Sequence, residues 1–361
     1  MSQLHTLLRN MRSASKSRNI LGQCIDLLLL KLFLNTGVRD YYQYEFYKRD
    51  LTWEQKSRYA SAQGSRYWIF ENNVFKYQIL FTDKFVQKMF LTGLKLPTPR
   101  IIAMVGGGGA ISSLAEFQNA IDGAPSEFVL KPISARGGVG FRRLVKGQDY
   151  LLEGSKQISI EDLWRGLESN MDRGILMEET VHNHETIDSM NTSSLNTFRV
   201  MTFKFPDGKW VPICTFLKVG RVGSVVDNRM AGGLVVPVDK DGLTGPAFES
   251  TTRTYWSQHP DSGAQLANIK IEMFQDVVDL AVRASRPVTH MGILGWDIAL
   301  TPNGPMIIEV NASPGVKYLQ IVYGGLVTDE MAKVLKPRHL FSRYPRTHYY
   351  PNHLIDRKGR V

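Results

Sequence analysis

Apolar residues follow two different spacings along the chain. Through residues 1–95 glycine and proline are sparse and apolar residues recur every three or four positions, notably in 27–34 and 53–70, which predicts helices. From residue 97 the apolar runs are short and broken by glycine and proline, which is typical of strands. The pattern predicts an α+β fold with antiparallel hairpins behind an N-terminal helical region. The expected elements are a strand at 100–105, a helix at 112–121, a strand at 128–131, a hairpin of 197–205 with 210–219, a helix at 267–286 and a hairpin of 293–300 with 305–310.

The composition is that of a globular protein. Of 361 residues, 43% are hydrophobic and 22% are charged, which argues against disorder and against a coiled coil. Two cysteines, Cys24 and Cys214, are too few for a disulfide framework and fit a reducing compartment. The most apolar stretch, 25–34, contains Asp26 and Lys31 and is about half the length that spans a bilayer. We therefore expect a soluble, cytoplasmic protein.

The net charge of +10 is unevenly distributed. Residues 1–100 hold 16 Lys and Arg against 7 Asp and Glu, and residues 332–361 hold 8 against 1. The middle, 101–331, holds 20 against 26. An anionic partner such as nucleic acid, a membrane surface or an acidic substrate could bind the basic flanks. Ordinary solvated helix faces are the simpler interpretation, and both stay open.

Two carboxylates in the last predicted hairpin form a candidate metal site. If the connecting loop has five residues, Leu300 pairs with Met306 and Asp297 lies opposite Glu309, while Asn311 shares the face of Glu309. Three oxygen ligands on rigid strands suit Mg²⁺, with phosphates and water completing its octahedron. The alternative is an amphipathic hairpin in which one carboxylate faces solvent. The metal site is the preferred interpretation.

A lysine and a glycine-rich loop form a candidate phosphate site. Lys131 ends the apolar strand 128–131, and the loop that follows contains Gly137, Gly138 and Gly140. A cation beside a loop of glycines lets backbone amides approach phosphate oxygens closely. The loop is not a Walker A motif, because the lysine precedes the glycines. A tight hairpin turn is the alternative.

These motifs together resemble the ATP-grasp superfamily. The resemblance includes Thr82-Asp83-Lys84 with 94–99, the lysine before the glycine-rich loop, Glu178-Glu179 after an apolar strand, and the ending 309–315, which is similar to the D-alanine–D-alanine ligase branch. Residues 194–202 and 219–228, and more loosely 40–46, are most similar to the sugar-transfer-associated ATP-grasp group. The resemblance implies two α+β subdomains that clamp ATP. The expected division is a helical region (1–95), a small subdomain with the lid loop (96–180), a large subdomain with the metal site (181–330) and a basic tail (331–361).

The resemblance also implies roles for individual residues in binding Mg-ATP, with Mn²⁺ as an alternative to Mg²⁺. Lys84 and Lys131 are expected to contact the α- and β-phosphates, and Gly137, Gly138 and Gly140 to form the lid over the β- and γ-phosphates. Glu178 is expected to bind the adenine amino group, the backbone near Glu179 and Val181 the adenine edge, and Glu185 the ribose. One or two metal ions are expected to bind to Asp297, Glu309 and Asn311.

The catalytic cations implied by the resemblance are Arg199 and Lys218, on the two strands of the middle hairpin. They would stabilise the γ-phosphate and an acyl phosphate. The ligase branch has an arginine just before the metal aspartate, whereas this chain has Trp296. Arg199 is the candidate to supply the missing cation.

The activity implied by the resemblance is a Mg-ATP-dependent carboxylate–amine ligase that acts through an acyl phosphate, in surface-polysaccharide or related glycan or natural-product biosynthesis. Its partners would be a small-molecule carboxylate and an amine, in one version sugar-linked, with peripheral membrane contact left open and nucleic acid not expected. One alternative is a kinase that phosphorylates a hydroxyl. Another is a non-catalytic protein whose basic flanks bind nucleic acid or an anionic surface. The sequence makes no prediction of oligomeric state.

Overall fold

The N-terminal part of the chain is helical, as predicted. The computed structural model describes residues 3–48, 50–59, 73–74, 77–135, 137–228 and 231–335. The part of the predicted helical stretch 53–70 from residue 60 onward, and the basic tail from 336, lie outside the described residues. None of the helices described is both long and apolar enough to cross a membrane. The helices of this part are α1 (Gln3–Ala14), α2 (Ile20–Leu34), α3 (Val38–Gln43), α4 (Trp53–Ser57), α5 (Ile79–Thr82) and α6 (Lys84–Gly93).

An aromatic cluster holds the first helices together. Tyr41, Tyr42, Tyr44 and Phe46 are buried and pack with Leu30 of α2. The buried hydroxyls are satisfied, since that of Tyr42 donates to Gln23 Oε1 at 2.9 Å and that of Tyr41 to Asp26 Oδ2 at 3.1 Å. These tyrosines therefore form a core between the first helices.

The first sheet lies within residues 101–179. Its six strands run antiparallel in the order β1-β6-β2-β3-β4-β5. Two helices, α7 (Leu114–Asp122) and α8 (Ile160–Met171), bury Phe117, Leu163 and Leu167 against it. The strands are β1 (Ile101–Val105), β2 (Glu127–Pro132), β3 (Arg142–Lys146), β4 (Leu151–Glu153), β5 (Lys156–Ile158) and β6 (Ile175–Glu179).

The second sheet lies within residues 197–311 and contains both predicted hairpins. Its order is β11-β10-β9-β8-β7-β12-β13, again antiparallel. The division of the sheets agrees with the expected subdomains, although the boundaries at 95, 180 and 330 stay predictions. The strands are β7 (Thr197–Lys204), β8 (Trp210–Val219), β9 (Leu234–Pro237), β10 (Ala247–Glu249), β11 (Thr254–Trp256), β12 (Ile293–Thr301) and β13 (Gly304–Asn311).

Helices cover both faces of the second sheet. After the short α9 (Glu185–Asp188), α10 (Phe274–Ser285) packs on one face, while α11 (Leu319–Tyr323) and α12 (Asp329–Val334) pack near one end of the other. The predicted helix at 267–286 was wrong at its start. Residues 268–271 instead pair with 242–244, where Thr244 N donates to the Ile269 carbonyl at 3.0 Å and Ile271 N donates to the Gly242 carbonyl at 2.9 Å.

The register of the last hairpin confirms one predicted pair and corrects another. Asp297 lies opposite Glu309, as predicted. Leu300, however, pairs with Pro305, because the loop has two residues, Pro302 and Asn303, instead of five. Ile308 is an extra residue in β13 that shifts the register between these pairs, and such a bulge re-aims the side chains that follow it.

Helix α6 covers the exposed edge of β13. The side chain of Gln87 donates to the Val310 carbonyl at 2.8 Å and accepts from the Val310 amide at 3.0 Å. Ile307 N donates to the Pro97 carbonyl at 2.9 Å. Backbone groups of β13 on either side of the bulge, at Ile307 and Val310, are therefore hydrogen-bonded, which protects the edge strand from pairing with another chain.

Asn73 ties the start of β12 to the end of β13. Its buried amide donates to the carbonyls of Ile293 and Ala312 at 2.8 and 2.7 Å, and its oxygen accepts from the amides of Gly292 and Ile293 at 2.7 and 2.9 Å. We expect Asn73→Ala to lower the free energy of unfolding by about 2–4 kcal/mol, because buried backbone groups lose their partners. Denaturant unfolding would measure this loss.

The matched control for this substitution is Asn119→Ala, at an exposed position of α7. It should change stability by less than about 0.5 kcal/mol. Equal effects of the two substitutions would contradict a stabilising role for Asn73.

Candidate functional site

Polar side chains from four neighbouring strands meet on one face of the second sheet. Arg199 on β7, Lys218 on β8, Asp297 on β12, and Glu309 and Asn311 on β13 all line one cavity of about 330 Å³. Apart from the bulge, strand alternation sends the neighbours of these residues to the opposite, apolar face. The cavity lining also includes Lys84, Gly137, Gly138, Thr197, Val226, Asp227 and Asn228.

Arg199 and Lys218 both contact the carboxylate of Asp297. Arg199 forms a two-pronged ion pair, with Nε 2.5 Å from Oδ1 and Nη2 2.8 Å from Oδ2. Lys218 Nζ lies 3.4 Å from Oδ2 of Asp297 and 3.3 Å from Oδ1 of Asp227. Asp227 in turn accepts from the amide and the hydroxyl of Thr197, at 3.0 and 2.6 Å. The site is thus a connected network of opposite charges.

Mutual pairing favours the charged forms of Arg199, Lys218 and Asp297 although these side chains are buried. Burial would lower the pKa of Arg199, but Asp297 outweighs it and the pKa is raised. Burial would raise the pKa of Asp297, yet Arg199 and Lys218 hold it below its usual value. Lys218 has a raised pKa because Asp227 and Asp297 outweigh its burial. For Asp227 burial prevails over Lys218 and Thr197, and its pKa is raised.

The position of Trp296 explains how Arg199 reaches Asp297. Trp296 is fully buried on the other face, where its indole N–H donates to Ser285 Oγ at 2.9 Å. A side chain at position 296 therefore does not point into the cavity. On the cavity face the neighbour is Gly295, and a Cβ there would lie 3.3 Å from Cδ of Arg199. Arg199 thus occupies the space above a residue that has no side chain.

The predicted metal ligands share one face, and two of them have oxygens available. Neither Glu309 nor Asn311 uses its side chain in a hydrogen bond or ion pair within the described residues, and both are half-buried at the cavity. Both oxygens of Asp297 are engaged by cations. No group of three or more His, Cys, Asp and Glu in the described ranges is arranged to hold a metal ion. Two carboxylates and an amide remain a chemically suitable set for Mg²⁺.

The glycine-rich loop covers one side of the cavity. Gly137 and Gly138 both have positive φ and lie against Val226 and Asn228, since a Cβ on Gly138 would be 2.9 Å from Val226 Cγ1 and one on Gly137 would be 3.4 Å from Asn228 Nδ2. Lys84, at the start of α6, donates from Nζ to the carbonyls of Ile133 and Ala135. The lysine therefore holds the base of the loop. Gly140 also has positive φ, but it lies against Pro132 and does not line the cavity.

Lys131 and Glu178 form a second, adjoining cluster outside the cavity lining. Lys131 Nζ lies 2.5 Å from Glu178 Oε2, and Lys88 Nζ lies 3.4 Å from Oε1. Oε1 accepts no hydrogen bond from the described residues. Lys88 donates to Thr98 Oγ1 at 2.7 Å, and Thr98 donates to the Ile307 carbonyl at 2.9 Å. The cluster thus links the first sheet through α6 to β13.

Lys88 is a site residue that the sequence analysis missed. Its ammonium is fully buried, which is rare for lysine. A signal was present, because Lys88 follows Lys84 by four residues and so lies on the same side of α6.

The remaining predicted nucleotide contacts lie at the end of β6 and after it. The amide of Glu179 donates to the Arg100 carbonyl at 3.1 Å, and its carboxylate accepts from the Arg100 amide at 2.9 Å. Val181 is half-buried, and Glu185 is exposed at the start of α9. The adenine and ribose roles of Glu178, Glu179, Val181 and Glu185 stay predictions.

Comparison with known proteins identifies the family. The family model described as sugar-transfer associated ATP-grasp matches residues 63–336. The chain belongs to this family. The resemblance found in the sequence is confirmed, and the two sheets with their helices are an ATP-grasp fold. None of the curated proteins searched matches the chain.

Several solved structures are similar at low identity. N5-carboxyaminoimidazole synthase from Aspergillus clavatus is 15% identical over 67% of this chain and 47% of its own, with a TM-score of 0.39. D-alanine–D-alanine ligase from Bacillus anthracis is 13% identical over 71% of this chain and 67% of its own, with a TM-score of 0.40. The same enzyme from Helicobacter pylori is 12% identical over 73% of this chain and 64% of its own, with a TM-score of 0.41. The chain spans about half the length of the first of these proteins. Similarity at this level carries no information on activity or substrate.

The pKa of Lys88 makes stability depend on pH. Burial, and then the neighbouring Lys131, lower the pKa of Lys88 from 10.5 to about 7. Between these values the unfolded chain holds a proton that the folded protein lacks. The free energy of unfolding should therefore rise with pH from about 7 to 10, by up to about 1.4 kcal/mol per pH unit from this group. Denaturant unfolding at pH 7, 8 and 9 would measure the slope.

The variant that tests this contribution is Lys88→Met, in which the slope should become smaller. Lys209→Met, at an exposed position of the β7–β8 turn, should leave the slope unchanged. An identical slope in the wild type and Lys88→Met would show that Lys88 does not titrate in this way.

Proposed function

We propose that the protein is a Mg-ATP-dependent carboxylate–amine ligase that acts through an acyl phosphate. The observation that carries the proposal is the meeting of Arg199 and Lys218 with the available oxygens of Glu309 and Asn311 beneath a glycine-rich loop. Such a cavity provides cations for a transferring phosphoryl group and oxygens for a metal, in one enclosed space. Phosphoryl transfer needs this positioning and charge more than a covalent protein nucleophile.

The proposed reaction has two steps. A substrate carboxylate oxygen attacks the γ-phosphorus of ATP, and ADP leaves. The amine nitrogen then attacks the acyl carbon, phosphate leaves, and the nitrogen loses a proton. Arg199 and Lys218 stabilise negative charge on the transferring group in both steps. Asp297 holds the two cations in place through the contacts it makes with each.

Glu309, Asn311 and Asp297 would hold Mg²⁺, which neutralises phosphate charge when bound. The fit rests on the half-buried Glu309 and Asn311, whose side chains line the cavity without a partner in the described chain. Lys84 and the amides of Gly137 and Gly138 would orient the phosphates. Lys131 would contact the α- and β-phosphates, and Glu178 would accept from the adenine amino group. The family description associates these proteins with sugar transfer, and we therefore propose a sugar-linked carboxylate or amine as one substrate.

A screen of paired carboxylates and amines for ADP release tests the proposal. One pair should give ADP release that needs both substrates, and Glu309→Gln should reduce it at least about 100-fold because a metal ligand loses its charge. Glu161→Gln, at an exposed position of α8, should retain the wild-type rate.

Hydroxylamine in place of the amine separates the ligase from a kinase. An acyl phosphate would yield a hydroxamate together with ADP. ADP release with a stable phosphorylated hydroxyl product, and without any need for an amine, would make the protein a kinase. Equal ADP release by the wild type and Glu309→Gln across all pairs would overturn both activities.

The fit of the glycine-rich loop can be tested by adding one methyl group. Gly138→Ala would place a Cβ against Val226, so the loop should be displaced and KM for ATP should rise about tenfold. Gly154→Ala is the matched control, because Gly154 also has positive φ but has no atom within 4 Å of the added Cβ. A second substitution, Val226→Ala, should restore part of the loss. Equal KM values in both glycine variants would show that contact with Val226 is unimportant.

A further inference from the structure

Helix α2 is apolar on both of its sides. On its inner side Leu30 is 1% exposed and packs with the tyrosine cluster, together with Leu27 and Leu34. On its outer side Leu21, Leu28 and Phe33 are 71%, 60% and 64% exposed. A helix that is apolar all round normally lies inside a protein or a membrane. We define the outer face of α2 as the exposed residues Ile20, Leu21, Ile25, Leu28, Leu29, Leu32 and Phe33.

Neighbouring elements enlarge this apolar surface. Trp53 of α4 contacts Phe33 edge to face, with ring centroids 6.1 Å apart, and its ring is about half exposed. Leu8 of α1 and Val38 of α3 are also exposed. Exposed apolar surface shared by two elements in contact, as at Phe33 and Trp53, marks an interaction site, since isolated exposed side chains would need no explanation.

Cations outnumber carboxylates in this part of the chain. Arg9, Arg12, Lys16 and Arg39 are exposed and form no ion pair within the described residues. The single carboxylate in the sequence of α2, Asp26, is engaged by Arg18 at 2.8 Å and by the hydroxyl of Tyr41. Residues 1–48 contain seven Lys and Arg against three Asp and Glu. Arg9, Arg12, Lys16 and Arg39 therefore supply positive charge that no described carboxylate neutralises, on the helices that carry the apolar surface and in the turn between α1 and α2.

We propose that the outer face of α2 binds the surface of an anionic phospholipid bilayer. The 15 residues of α2 extend about 22 Å, less than the roughly 30 Å of a hydrocarbon core, so the helix would lie in the plane of the interface. Leucine, isoleucine and phenylalanine enter the acyl boundary, Trp53 lies at the headgroup level, and the cations meet anionic headgroups.

Charge also decides against a second copy of this chain as the occupant. A symmetric dimer through the outer face of α2 would bring the same cations of two copies together. Like charges in contact oppose association, whereas a lipid surface supplies the opposite charge.

The helical region is fixed to the second sheet, so binding would orient the whole protein. Gln320 of α11 donates to the hydroxyl of Tyr44 at 2.9 Å. Arg253 donates to the Gln43 carbonyl at 3.2 Å, and Arg58 pairs with Asp329 of α12. The proposal depends on these surfaces and is independent of the ligase activity.

Sedimentation of the full chain with lipid vesicles tests the proposal. We expect retention on vesicles that contain about one third phosphatidylglycerol, weaker retention on phosphatidylcholine alone, and loss as salt is raised. The double variant Leu21→Asp/Leu28→Asp should bind at least about tenfold more weakly, because two charges would enter the apolar layer. Arg9→Glu/Arg12→Glu should lose the preference for anionic vesicles while keeping weak binding to neutral ones.

The control is Leu243→Asp, at an exposed leucine of the second-sheet region, which should bind vesicles as the wild type does. Circular dichroism would verify that each variant is folded, and light scattering would report the mass of each. Absence of wild-type binding, or equal binding by the wild type and Leu21→Asp/Leu28→Asp, would overturn the proposal. So would a wild-type dimer that this double variant converts to a monomer, since the face would then join two copies.

Discussion

The carboxylate of Asp297 accepts two hydrogen bonds from one guanidinium and lies beside an ammonium, in a place largely removed from water. Buried charges are tolerated when they are paired and hydrogen-bonded, and the surrounding structure provides this. Gly295 leaves space for Arg199, and Asp227 gives Lys218 a second carboxylate. The polar cavity can exist within an apolar sheet because these groups balance one another.

Helix α6 sets the relative position of the two sheets. Within ten residues it contributes Lys84 to the glycine-rich loop, Gln87 to the edge of β13, and Lys88 to Glu178 of the first sheet. A small rotation of α6 would therefore change the loop, the edge strand and the buried cluster together. Coupling of this kind is what a clamp requires if closing on a ligand is to move several groups at once.

The sequence predicted those features that depend on neighbouring residues. Short apolar runs separated by turn residues predicted both hairpins of the second sheet. The opposition of Asp297 and Glu309 was predicted from a five-residue loop, and it holds because the shorter loop and the extra residue Ile308 offset each other. Features decided by distant contacts were not predictable. The start of α10 depends on pairing between 268–271 and 242–244, and the burial of Lys88 depends on Glu178, 90 residues away along the chain. The extra residue Ile308 has no local signal in an apolar run.

The bulge at Ile308 divides the last hairpin into two segments whose registers differ by one residue. The tip, with its exposed Pro302 and Asn303, is paired by one of them, whereas the carboxylates are paired by the other. We expect a peptide tag or a fluorescent reporter inserted between Pro302 and Asn303 to lengthen the turn and to leave Glu309 in place, because the bulge separates the two segments. The same site offers an attachment point for immobilising the protein with its cavity intact.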